Sequence, residues 1–308
     1  MSQRKRRQRD VSGAALTHPR FWPSWLSVGL LRLAAMLPLA WQRAIGRGFG
    51  LALYAATRER RRIARTNLRL CFPDLSDRAR EHLVRDHYRA LGESLFEMAF
   101  AWWGPAERLR RLGRFRGREH LDAALAQGRG VLLLQGHFLS TDVAGQILAA
   151  EIPLTVTYQP PKNPVMRSLT ERVRGRFIRH QIHHGEVRQV LRALRDNEVV
   201  WHGPDQGARE RHAVPARFFG QPASTNTATA RLARISGAPV VPYHPVRCAD
   251  GSFELRFEPA LADFPGDDIA AATQRVNDVL EAHVRETPAP YLWTHKRFKR
   301  ATAQDPYA

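Results

Sequence analysis

The residues best equipped for chemistry are His137 and Asp142, in the stretch QGHFLSTD at 135–142. An imidazole takes up a proton near neutral pH, and a carboxylate beside it can fix its tautomer and stabilise the imidazolium. The pair follows a short apolar run, Val131 to Leu134, opened by a glycine turn. That length and composition suit a strand buried on both faces. On one helix, positions five apart would point about 140° away from each other. If the two side chains meet, His137 must lie in the strand-to-helix turn and Asp142 in the first helical turn, with Ser140 or Thr141 as N-cap. A carboxylate there is favoured by the helix dipole. A satisfied structural histidine is the competing reading, and the pair alone does not decide.

Three further clusters carry polar groups. In YQPPKNPVMRSLTERVRGRF, prolines 160, 161 and 164 hold an extended loop, and Arg172, Arg174 and Arg176 follow on a helix. A spacing of two cannot place all three on one face, so one or two should point into a site. In WHGPDQGARERH, Asp205 and Gln206 lie between glycines just after a predicted strand. Both segments follow strands, where open α/β sheets place their ligands, although ordinary turn chemistry is the alternative. Near the C-terminus, YLWTHKRFKR gathers His295, Lys296, Arg297, Lys299 and Arg300 beside Trp293 and Phe298. This is either a solvated basic tail or a phosphate clamp, in which Arg297 would make a two-pronged contact. There is no G-x-S-x-G elbow, P-loop or G-x-G-x-x-G, and His183-His184 has no partner at zinc spacing.

The elements that must position these residues divide the chain. Residues 1–20 form a basic tail, 21–116 a helical membrane-associated region, 117–301 an α/β domain and 302–308 a short tail. Phe21 to Trp41 is rich in Trp and Leu and about long enough to span a bilayer, but Arg32 and Pro38 interrupt it, so an interfacial helix is equally open. Arg58, Arg60, Arg61, Arg62, Arg65 and Arg69 follow on a helical stretch that stops at Pro73. Ser76 reads as the N-cap of a long amphipathic helix reaching about Trp103. Beyond Gly117 the spacing predicts strands at 131–134, 154–158, 199–201, 240–243 and 253–257. Helices are predicted at 143–150, 164–178, 186–196, 224–236 and 268–286. Strands alternating with helices make this an α/β layer structure.

Hydrophobic content of 44% marks a folded chain, while 48 Lys+Arg against 29 Asp+Glu gives a net charge of +19. Such a chain seeks an anionic membrane face, phosphorylated ligands or nucleic acid. No recognisable nucleic-acid module accompanies the arginines, so no nucleic-acid partner is expected. Cys71 and Cys248 have no metal or redox spacing and fit a reducing compartment.

QGHFLSTD, the YQPPKNPVM loop, VVWHGPDQG, TNTATARLARISGAPVVPYHPVR and WTHKRFKR together resemble the lipid A late acyltransferases. THPRFWPSWL, RRRIARTNLRLCFPDLS and EMAFAWW extend the resemblance from about residue 17 to residue 300. His-x-x-x-x-Asp more widely resembles the glycerolipid acyltransferases. The late acyltransferases usually carry Glu at the last position, so Asp142 is a departure by one methylene.

The resemblance implies a mixed sheet flanked by helices and transfer of a fatty acyl chain from acyl carrier protein to a hydroxyl of a lipid A precursor. It places the enzyme at the cytoplasmic face of a bacterial inner membrane. In that scheme His137 is the base, Asp142 orients it, and Arg174 donates to the oxyanion, with backbone amides near Gly136 as the competitor. Arg172, Asp205, Gln206, His295, Lys296 and Arg297 would meet substrate. No metal or cofactor is expected. An acyltransferase of the same fold acting on another membrane lipid, or a non-catalytic lipid-binding homologue, is the alternative.

Overall fold

The computed structural model describes residues 16–183, 185–207, 213–299 and 304–308. Residues 1–15, His184, residues 208–212, Arg300 and residues 301–303 lie outside the described residues.

Helices lead the chain: α1 (Trp22–Ala34), α2 (Leu39–Ala56), α3 (Arg58–Cys71), α4 (Asp77–Trp103) and α5 (Ala106–Arg111). Then come β1 (Gly113–Arg116), α6 (Arg118–Leu125), β2 (Val131–Leu134), α7 (Thr141–Ala149), β3 (Leu154–Tyr158), α8 (Pro164–Arg174) and β4 (His180–His183). The chain continues through α9 (Val187–Arg195), β5 (Val199–His202), β6 (Ala213–Phe218), β7 (Gln221–Asn226) and α10 (Ala228–Ser236). It closes with β8 (Val240–Arg247), β9 (Phe253–Phe257) and α11 (Ile269–Glu286).

The stretch from Phe21 to Trp41 is two helices, because Pro38 takes the N-cap position of α2 and ends any continuation of α1. Among the described residues, no helix is long and apolar enough to cross a membrane. Ser76 caps α4 as its sequence suggests, its hydroxyl accepting from the Ala79 amide at 3.2 Å. That helix is about 40 Å long. α2 lies against it backbone to backbone: a Cβ on Gly92 would stand 1.9 Å from the Gly46 carbonyl oxygen, and one on Gly50 would stand 2.0 Å from that of Tyr88. Larger residues at these points would separate the helices.

The seven-stranded sheet has the order β1-β9-β8-β2-β5-β3-β4, parallel throughout except for the antiparallel pair β8–β9. It is the expected mixed sheet between helical layers. Leu132, Leu134 and Val200 pack into one apolar cluster with residues of α3, α4, α9, α10 and α11. Val131, Leu133 and Val199 pack into another with residues of α6, α7 and α8. All four residues of β2 are completely buried, as a strand covered on both faces requires. At the end of β8, Arg247 reaches Glu93 at 2.7 Å and Glu97 at 2.6 Å, tying α4 to the sheet through a buried two-pronged contact.

Several elements differ from the sequence expectation. β1 joins the sheet before residue 117, so the sheet starts inside the region read as helical. Helix α8 ends at Arg174, not at 178, because the chain turns and residues 180–183 pair with β3. The helix predicted from 224 begins at Ala228, since 224–226 belong to the β6–β7 hairpin. Tyr307 in the expected tail is buried, its hydroxyl accepting from the Phe298 amide at 3.1 Å.

Candidate active site

β2 and β5 are adjacent and parallel, with Leu134 opposite His202, so the turns that follow them lie side by side at the carboxyl edge of the sheet. His137 stands in the first turn and Asp205 in the second. The Asp205 carboxylate binds the His137 imidazole at Nδ1 and accepts the His137 backbone N–H at 2.8 Å. With Nδ1 engaged, a neutral ring presents Nε2 as its basic nitrogen. The His137 side chain is 28% exposed and that of Asp205 2%, so the base meets solvent while its carboxylate does not.

The surroundings hold this geometry. The His137 carbonyl accepts from the Leu292 amide at 3.0 Å, the Leu139 amide donates to the Pro290 carbonyl at 2.8 Å, and Phe138 bridges to Tyr291. Trp201 stands edge-on to the imidazole, with ring centroids 5.7 Å apart at 82°. Its indole N–H donates to Gln135, which in turn donates to Thr141 at 2.9 Å. Gly203 leaves room for the ring, because a Cβ there would come within 2.8 Å of His137 Cε1.

Burial by itself pushes the His137 pKa down, but the charge and hydrogen bond of Asp205 outweigh it and raise the value above 6.5. Burial would raise Asp205; the charge of His137 and the hydrogen bonds from its ring and amide, with the more distant charge of Arg297, hold it well below the usual carboxylate range. His202 next to the pair is pushed down to about 4 by burial and by the His137 charge, so it is neutral at neutral pH. Neither of its ring nitrogens has a hydrogen-bond partner among the described residues.

Asp142 occupies the first turn of α7, as its spacing requires, yet it makes no hydrogen bond to His137. Its carboxylate receives Arg174 instead, from Nη2 at 2.8 Å and Nε at 3.2 Å. The expected His137–Asp142 pair is therefore corrected to His137–Asp205 and Arg174–Asp142. The physical reason is that a side chain on α7 faces α8, whereas the turn after β5 abuts the turn after β2. Arg172, two residues from Arg174 and about 200° round the helix, is exposed. Gln206 is exposed beside Asp205. Lys296 pairs with Glu59 at 3.7 Å. His295 is half-buried and its Nε2 has no partner among the described residues; burial lowers its pKa.

Arg297 departs from its expected role as well. It is only 4% exposed, and its guanidinium donates to the Ser224 carbonyl at 2.9 Å and the Thr225 hydroxyl at 2.8 Å, over the ring of Phe218. A guanidinium committed to the β7 strand cannot also fork a phosphate in this arrangement. It braces the segment after Tyr291 against the hairpin. The role of Asp205 beside His137 was missed in the sequence because strand order is not written there. The recurrence of a turn cluster after each of two apolar strands was the available signal.

A half-exposed imidazole with a buried carboxylate behind it, at the carboxyl edge of an α/β sheet, has the form of a general base. Residues 12–300 match the family model described as bacterial lipid A biosynthesis acyltransferase. The chain is 34% identical over 287 residues to the lipid A biosynthesis lauroyltransferase of Escherichia coli K12, covering 92% of this chain and 94% of that protein. It is also 34% identical over 284 residues to the palmitoleoyltransferase of the same organism, covering 92% of each. The myristoyltransferase is 26% identical over 288 residues, with 92% and 88% covered. The chain belongs to the bacterial lipid A biosynthesis acyltransferase family, and it is an acyltransferase.

Proposed function

We propose that this enzyme transfers a fatty acyl chain from an acyl carrier protein thioester to a hydroxyl of a lipid A precursor, at the cytoplasmic face of the inner membrane. His137 Nε2 takes the proton of the acceptor hydroxyl as its oxygen attacks the thioester carbonyl. Asp205 holds the proton on Nδ1 and stabilises the imidazolium. Arg174, aimed by Asp142, donates to the oxyanion of the tetrahedral intermediate. Collapse expels the carrier's thiolate, which recovers the proton from His137, so neither a covalent acyl-enzyme nor an external acid is needed.

The observation that carries this reading is the engagement of His137 Nδ1 by a buried carboxylate, which leaves Nε2 as the accessible base. Membrane seating is supported by the exposed apolar residues of α1, α2 and the turn between them: Trp22 at 63%, Leu26 at 66%, Leu33 at 64%, Met36 at 80% and Trp41 at 66%. Together they form an apolar surface suited to the headgroup–acyl boundary of a bilayer. Incubation of the purified enzyme with acyl carrier protein thioester and the precursor, followed by mass spectrometry, tests the proposal. A product heavier by one acyl group is expected; acylation of only a different membrane lipid would overturn it.

A further inference from the structure

Arg58, Arg62, Arg65 and Arg69 recur along α3 at spacings of four, three and four. On a helix they fall within about 60° of arc, and all four are exposed. The opposite face of α3, with Ile63, Asn67 and Leu68, is buried. The stripe borders a groove of about 460 Å³ between α3, the start of α4 and residues 306–308. Arg62, Arg65, Arg69 and Arg80 line it against two carboxylates, Asp77 and Glu81. Both carboxylates are already engaged, Glu81 by Arg65 at 2.8 Å and Asp77 by Arg80 at 2.6 Å. Arg62 meets the carbonyl of Tyr307 at 2.8 Å and the carboxyl oxygen of Ala308 at 3.3 Å, and Arg69 has no acidic partner among the described residues. Arg69 thus brings to the groove a positive charge that no acidic side chain among the described residues neutralises.

We propose that this outer face of α3 is the docking surface for an acidic, water-soluble protein, and that this protein is the carrier of the acyl thioester; the second part rests on the donor reading above. Two placements favour a soluble partner over lipid. The most exposed apolar residues of the N-terminal helices, Trp41 included, lie on α1, the turn after it and the first half of α2, and that half meets the far end of α4, where Gly46 abuts Glu93. The groove lies at the other end, near Glu81, so about 20 Å of helix separates the two. That exceeds the 8–10 Å over which surface charges act at physiological salt. The inner face of the same helix holds the segment beside the active site: Asn67 donates to the carbonyls of Trp293 at 2.6 Å and His295 at 2.8 Å. The groove and the reactive histidine's surroundings are therefore separated by about one helix diameter, 10–12 Å.

The test uses the full-length enzyme with Arg62 and Arg69 both changed to Glu, and a neutral version with both changed to Gln. Arg188→Glu/Arg192→Glu on α9 is the control for net charge. Each is assayed with the same acyl chain on acyl carrier protein and on pantetheine, and direct binding of the carrier protein is followed by fluorescence anisotropy. Charge reversal should raise KM for the protein-bound donor about 10-fold at low salt, with the glutamine version between it and wild type. The difference should shrink at about 0.5 M salt. KM for acyl-pantetheine and the thermal midpoint should not move, and the control should match wild type. Equal impairment with both donors, unchanged carrier binding in the reversed protein, or a loss confined to binding of phosphatidylglycerol vesicles would overturn the docking surface. Carrier binding that depends on Arg62 and Arg69 but yields no transfer would retain the surface and overturn the donor reading.

Discussion

The stretches of chain around the ends of β2 and β5 each offer an imidazole and a carboxylate, His137 with Asp142 in one and His202 with Asp205 in the other. Neither stretch pairs its own two groups. The accessible imidazole comes from the first and its carboxylate from the second. Asp142 turns to Arg174 on a neighbouring helix, and His202 is left half-buried and uncharged. Burial separates the two carboxylates: the Asp205 side chain is 2% exposed and that of Asp142 28%. A carboxylate out of water must be met by strong donors, and Asp205 has both the ring and the amide of His137. A half-exposed one needs less, and a single arginine satisfies it. The two carboxylates therefore have different partners, Asp205 the imidazole of His137 and Asp142 the guanidinium of Arg174.

The sharpest break of this comparison is His137→Ala, which should cut acyl transfer by about 10²–10⁴-fold and also lower the thermal midpoint, because it leaves the buried Asp205 carboxylate without the imidazole. An active variant would make the first turn structural. Next, Arg174→Ala should lower kcat by about 100-fold or more, the usual loss of one oxyanion donor. An effect confined to KM would instead assign Arg174 to substrate binding. Gly203→Ala should cost about 10-fold in kcat, because a misplaced base is inefficient even when its chemistry is intact. Its crystal structure would show the His137 ring displaced. The smallest effect on turnover is expected from Arg297→Lys. Losing its fork should cost about 1–3 kcal/mol in denaturant unfolding, while the preference for a phosphorylated over a dephosphorylated acceptor stays as in wild type. A selective loss with the phosphorylated acceptor would restore the clamp.

Much of this was legible in the sequence. The segments at 131–134, 154–158 and 253–257 are strands with the expected bounds: VLLL is a short run buried on both faces, and FELRF alternates buried with half-buried residues. The Ser76 cap and the turn position of His137 followed from local chemistry too. β1, β4 and the β6–β7 hairpin escaped because GRFR, HQIH and proline-containing strands lack a sustained apolar pattern, and pairing partners supply their stability. The partner of His137 escaped for a related reason. Asp205 lies 68 residues away, and only the adjacency of β2 and β5 brings it near. Arg297 read as a surface cation because the hairpin it braces was not foreseen.

The His137–Asp205 pair also ties stability to pH. Because the folded pKa of His137 is raised, its contribution is full below 6.5 and is lost as pH rises through the raised value. Because that of Asp205 is lowered, its contribution is full above 3.8 and is lost as pH falls through the lowered value. The excess stability of wild type over Asp205→Asn should therefore be greatest between these limits in thermal denaturation.

The central claim is that Asp205, and not Asp142, governs the base. The pH dependence of kcat/KM in wild type, Asp205→Asn and Asp142→Asn tests it most directly. Activity requires neutral His137, so the wild-type rate should climb as pH rises through a pKa above 6.5. Removing the Asp205 charge leaves burial to act alone, so Asp205→Asn should lower the plateau by about 100-fold or more and move the acid limb to lower pH. Asp142→Asn should lower the plateau by about 10-fold through Arg174 and leave the limb where it is. An acid limb that moves in Asp142→Asn and stays fixed in Asp205→Asn would contradict the account.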